Sequence, residues 1–145
     1  MISPRAPFNP SDSDALSPRP DLKSLTSLIP LQGHVSAIYA GSFFHLFDGP
    51  GQLQVARQLA SLLSPLPGSI IFGGHIGSLV KGTIISHNHP IFIHSPESWK
   101  DLWEGQVFEK GDILADARVI EIAYKPVGQA EAEIAYWLVW SITRL

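Results

Sequence analysis

The stretch Gly41-Ser42-Phe43-Phe44-His45-Leu46-Phe47-Asp48 concentrates groups able to do chemistry. It follows the small, apolar run Val35-Ser36-Ala37-Ile38-Tyr39, which reads as a buried strand, and open α/β sheets bind ligands at the carboxyl ends of such strands. A Gly-Ser step lets a ligand approach the backbone, the phenylalanines offer an apolar wall, and His45, titrating near neutral pH, is a candidate general base or donor. The alternative makes Phe43 and Phe47 core, and His45 a helix-capping or simply hydrogen-bonded side chain.

Gly73-Gly74-His75-Ile76-Gly77 looks superficially like a phosphate loop, but it is not G-x-G-x-x-G and opens no clear helix. It is expected to be a turn with positive φ, with His75 facing the same pocket or solvent. His87-Asn88-His89 with His94 has the donors of a metal site, yet no carboxylate lies between Lys81 and Pro96, so no metal is expected. Ser64, Ser69, Ser78 and Ser95 lack a G-x-S-x-G elbow, which leaves an α/β-hydrolase unsupported. Trp99, Trp103, Trp137 and Trp140 read as packing between helix and sheet, with a substrate-facing aromatic as the alternative.

The elements that must position these groups are legible in outline. Residues 35–39 and 69–73 are short apolar strands of the kind buried on both faces of a parallel sheet. Between them, Leu53, Ala56, Leu59, Ala60 and Leu63 recur at helical spacing, so residues 51–63 form an amphipathic helix and the unit is one βαβ crossover. Residues 73–90, rich in Gly and His, are expected to be a long loop over a pocket. Ser95 offers an N-cap and Pro96 a first helical position for a short helix over residues 96–104, with Trp99, Leu102 and Trp103 on its apolar face. Residues 113–124 and 134–144 close the chain as an antiparallel β-hairpin. The sum is an α/β domain, a mixed sheet with helices on its faces.

The chain has 145 residues, 45% of them hydrophobic, enough for one domain with one core. Ten Lys+Arg against 13 Asp+Glu give a formal net charge of −3, so no broad basic face exists for nucleic acid or anionic lipid. The longest apolar runs fall far short of the roughly 20 residues that span a bilayer. With no cysteine there is no disulfide framework and no thiolate nucleophile, and with no signal-peptide pattern at the start a reducing, cytoplasmic location is expected. Pro4, Pro7, Pro10, Pro18, Pro20 and Pro30 are half of the 12 prolines. Residues 1–33 are therefore expected to be a Pro/Ser-rich extended or disordered segment, with at most a helical turn at residues 21–28, and residues 34–145 the folded domain.

Three groups of residues carry a resemblance. They are residues 35–48 with Gln52, the run Leu62-Leu63-Ser64-Pro65-Leu66-Pro67-Gly68-Ser69-Ile70-Ile71-Phe72-Gly73, and His94-Ser95-Pro96-Glu97-Ser98-Trp99 with Leu138-Val139-Trp140-Ser141-Ile142-Thr143-Arg144. In these the sequence resembles the fungal secondary-metabolite methyltransferases of the class I S-adenosylmethionine-dependent superfamily. The resemblance implies a partial Rossmann-like fold, in which the matched strands are the fourth, fifth, seventh and sixth in sheet order. It implies S-adenosyl-L-methionine as cofactor, with Ser42 and Phe43 lining the methyl-donor pocket and Phe8 and Asn9 bordering the adenine. His45 is then the candidate base, with Phe44, His75 and Trp99 toward the acceptor, a small hydroxy or carboxy natural-product intermediate.

The Asp-x-Gly-x-Gly turn and acidic strand end that precede these segments in the family have no counterpart here. That leaves either a truncated version of a longer gene or a shortened relative. The shortened forms to expect are a non-methylating descendant that isomerises or cyclises a small substrate, and a noncatalytic interaction module pairing through its exposed sheet edge, as in a homodimer.

Overall fold

The computed structural model describes residues 18–86, 88–125, 127–128 and 130–145. Asp21 accepts from the Lys23 amide at 3.0 Å and starts a single 3-10 turn, Leu22–Ser24, within the stretch where a helical turn was expected. A second such turn, Ile29–Leu31, leads to Gly33, whose amide bonds Ser61 O at 2.9 Å and so lays the entry segment along the first helix.

Strand β1 is Ala37–Tyr39, shorter than residues 35–39 because Val35 makes only an isolated bridge to Leu63. Helix α1, Gly49–Leu62, begins two residues earlier than the apolar spacing predicts. Asp48 caps it by accepting from Gly51 N at 2.8 Å, and Pro50 needs no partner for a missing N–H in the first turn. Strand β2, Ile70–Gly77, lies parallel to β1, giving the expected crossover.

The first correction concerns residues 73–90. Gly73 to Gly77 is not a turn but the second half of β2, and none of its glycines has positive φ. They are glycines because neighbours occupy the space a side chain would fill: a Cβ on Gly73 meets the Ala40 carbonyl, and one on Gly74 meets the Trp137 indole. Nor is the rest of that stretch, to Pro90, a loop. Strands β3, Gly82–Ser86, and β4, His89–Ile93, pair as a separate antiparallel ribbon, with Asn88 at φ 63° in the turn between them.

Helix α2, Pro96–Trp103, follows a reciprocal cap in which the Ser95 hydroxyl receives the Ser98 amide while Ser98 Oγ receives the Ser95 amide. Strands β5, Ile113–Tyr124, and β6, Glu133–Arg144, form the closing hairpin over the full length of both. The sheet order is β1-β2-β6-β5, the order fourth, fifth, seventh, sixth that the resemblance implied.

A second correction follows from burial. Helices were expected on both faces, yet Ala56 and Ala60 of α1 and Trp99, Leu102 and Trp103 of α2 join a single core. With them are the inward residues Ile71 of β2, Leu138, Trp140 and Ile142 of β6, and Ile113, Ala115 and Ala117 of β5. Burying an indole as fully as Trp99 or Trp103 contributes up to about 4–6 kcal/mol of hydrophobic free energy. The alternate residues of the same strands face away from both helices.

Candidate functional site

The carboxyl end of β1 opens into residues 41–48, which the sheet and both helices hold in place. The Ser42 amide donates to Gly74 O at 2.7 Å, extending the β1–β2 ladder past the strand and fixing Ser42 at φ 52°. A left-handed conformation at a non-glycine residue costs on the order of 1–3 kcal/mol and persists only where the surroundings impose it. Gln52 secures the far end of the loop, donating from Nε2 to Phe47 O at 3.0 Å and Phe92 O at 2.9 Å.

Within the loop, side chains divide by direction. Ser42 and Phe43 are exposed, and the Phe43 ring meets Phe44 and Phe47 edge-on at centroid distances of 6.1 and 5.3 Å. Phe44 turns inward and is fully buried, edge-on to Trp99 at 4.8 Å and Trp140 at 5.6 Å. His45 is half-buried; burial lowers its pKa below the usual imidazole value, so it is uncharged at neutral pH, and its Nδ1 has no hydrogen-bond partner.

His75 lies inside the core rather than on a pocket or at the surface, at 1% exposure. Trp140 Nε1 donates to His75 Nδ1 at 3.0 Å, so the neutral ring carries its proton on Nε2. Burial, reinforced by the neighbouring His45 and His94, pushes its pKa down to about 3. The structure thus brings Phe44, His75 and Trp99 together, with both aromatic partners within 6 Å of the His75 ring, but as an enclosed cluster. Ser42, Phe43 and His45 remain at the accessible rim, while Phe8 and Asn9 lie outside the described residues.

A cleft of about 490 Å³ opens between the first turn of α1, strand β4 and α2. Leu53, Phe92 and Leu102 give it apolar walls, and Lys81, Ser98 and Asp101 give it polar ones. The Lys81 ammonium stands 5.6 Å from the Phe92 ring centre, and His94 is held neutral, its pKa near 4, first by burial and then by Lys81. The sequence reading missed this cleft because it needs residues 81–93 to be a ribbon. The one available signal was the Ser95–Ser98 cap, which fixes where α2 begins. Among the described residues no group of three or more His, Asp and Glu side chains is placed to hold a metal ion, and no helix is long and apolar enough to cross a membrane.

Fold and site define a mixed α/β protein with an accessible loop at the carboxyl end of a parallel strand. No protein-family model matches the chain. Over part of its length it is similar to fungal methyltransferases. O-methyltransferase phiE of Fungal sp. (strain ATCC 74256) is 37% identical over 86 residues, which are 56% of this chain and 28% of that protein. Methyltransferase adrK of Penicillium roqueforti is 31% identical over 83 residues, 56% of this chain and 30% of the relative. The Asnovolin E/Chermesin D methyltransferase nvfJ of Aspergillus novofumigatus is 33% identical over 88 residues, 58% of this chain and 31% of the relative. The expected similarity to fungal secondary-metabolite O-methyltransferases is therefore found over a segment, and the chain spans less than a third of the length of these relatives.

Proposed function

We propose that the chain is a methyltransferase-like α/β domain whose loop 41–48 forms the reacting side of an S-adenosylmethionine site, for O-methylation of a small hydroxy or carboxy acceptor. The observation that carries this reading is the coincidence of the similarity to named methyltransferases with an exposed, anchored loop at the carboxyl end of β1. The residues present fit the reacting end of the cofactor: an exposed hydroxyl on Ser42, the Phe43 ring beside it, and an uncharged imidazole at the half-buried His45.

When bound, the cofactor supplies a sulfonium-activated methyl group. The Phe43 and Phe47 rings screen water from that side of the loop, and His45 takes the proton of the acceptor hydroxyl. Its lowered pKa keeps the base form dominant at neutral pH, at the cost of some proton affinity. The 490 Å³ cleft offers an acceptor both an apolar wall and, at Lys81, a cation for a phenolate or carboxylate oxygen.

The reading is tested by incubating the chain with S-adenosylmethionine and a panel of small phenols and carboxylic acids, followed by mass spectrometry for methyl ethers and esters. A methylated product that disappears in His45→Ala supports it. The absence of product across the panel, from a folded chain shown to bind the cofactor, counts against O-methylation.

A further inference from the structure

The sheet face opposite the two helices is laid out in rows by the strand register. Tyr39, Phe72, Ser141 and Asp116 form one row across β1, β2, β6 and β5, and Gly74, Val139 and Arg118 form the next. Flanking these two are a row of Ile70, Thr143 and Leu114 on one side and a row of Ile76, Trp137 and Ile120 on the other. Much of this surface is apolar and bare: Tyr39 is 72% exposed, Leu114 59%, Ile120 43% and Phe72 40%. Parallel strands are ordinarily covered on both faces, and a large bare apolar patch marks an interaction surface. A shallow groove of about 580 Å³ crosses it, with Asp116 and Arg118 among its walls. Neither charge has a hydrogen bond or ion pair with another described residue.

Across a line midway between Asp116 and Arg118, the register exchanges Asp116 with Arg118, Leu114 with Ile120 and Ile70 with Ile76. We propose that this face docks a second copy of the chain, the two sheets packed face to face with strands antiparallel, about a two-fold axis along that line. Rotation about it sets Asp116 against the partner's Arg118, and Arg118 against the partner's Asp116. The same operation sets Phe72 over the partner's Gly74 and the Trp137 indole that fills the space beside it. Leu114 then meets the partner's Ile120, and Ile70 the partner's Ile76. Face-to-face sheets stand about 10 Å apart, a gap that paired side chains of these sizes fill. Charge opposite charge and apolar opposite apolar are what an isologous interface requires.

Sedimentation velocity of the full chain over a concentration series tests this, with far-UV circular dichroism confirming that each variant is folded. The wild-type chain is expected to dimerise. Arg118→Asp alone and Asp116→Arg alone each set like charges face to face twice and weaken self-association by about 10-fold or more. The two single variants mixed together recover a dimer, as does the double exchange within one chain. A wild-type chain that stays monomeric at every concentration overturns the proposal. So does a dimer indifferent to both single reversals, the behaviour expected of pairing through the outer edge of β1.

Discussion

The Trp140 indole N–H donates to His75 Nδ1 at 3.0 Å across 65 residues of sequence, and the bond joins the neighbouring strands β2 and β6 diagonally inside the core. It fixes the tautomer of a histidine whose burial holds it neutral, and that burial makes folding depend on pH.

The sign follows from the two states. His75 has a folded pKa of about 3 against 6.5 for a free imidazole, so the unfolded chain takes up the proton first. Stability is whole above about pH 6.5 and falls as pH drops from there toward 3, and His94, with a folded pKa of about 4, adds a parallel loss. Near pH 5 each histidine removes about 2 kcal/mol. Urea unfolding at neutral pH and near pH 5 should show this loss. In His75→Asn, whose carbamoyl oxygen still accepts from Trp140, the loss should shrink by about half. An unchanged pH dependence in that variant contradicts the assignment.

Gly73→Ala places a methyl group against the Ala40 carbonyl, with the Trp140 ring also close, and the Ala40 backbone leaves little room to yield. We expect destabilisation of at least about 2 kcal/mol, read as a lower urea midpoint with an unchanged slope. A neutral substitution would mean that β1 does not pack against β2 as described.

Ser42→Gly relieves the left-handed strain and should raise stability by about 1 kcal/mol. If the Ser42 hydroxyl faces the cofactor, the same variant should bind S-adenosylmethionine less tightly. Opposite signs in thermal unfolding and in titration identify strain kept for binding. A gain in stability with unchanged affinity assigns Ser42 to backbone geometry alone.

Ser98→Ala removes the side-chain half of the α2 capping box and the hydroxyl 2.8 Å from His94 Nδ1. Loss of about 1–2 kcal/mol is expected from chemical unfolding. A change within measurement error would show that the cap is redundant.

What the sequence displays and what it conceals can be traced to particular residues. Helix α2 and the closing hairpin are legible because Ser95-Pro96 and the alternation along β5 and β6 are local signals that agree with the packing. The second half of β2 is concealed because Gly73, Gly74 and Gly77 imitate a turn. Their cause is distant: the Ala40 carbonyl, the Trp137 indole and the Leu138 side chain. The β3–β4 ribbon is concealed by Pro90, which looks like a loop residue but sits opposite Ile85 in an isolated two-stranded ribbon, where a missing donor is tolerated. For the site, spacing picks out residues 41–48 but does not reveal that Phe43 points out and Phe44 in. His75 has the composition of a pocket residue and is core because its partner, Trp140, lies near the end of the chain.

For catalysis, His45→Ala should reduce turnover by about 10²-fold at saturating acceptor, with little change in cofactor affinity. An unchanged rate would assign His45 to structure.

The most direct test of the account is calorimetric titration of the intact chain with S-adenosylmethionine. In the proposed site the exposed rim of loop 41–48 meets one side of the cofactor, and that proposal predicts saturable binding with a dissociation constant near a millimolar, about −4 kcal/mol, weakened in Ser42→Gly. No detectable heat at millimolar cofactor, from a chain shown to be folded, would contradict the proposal that this loop is a methyl-donor site.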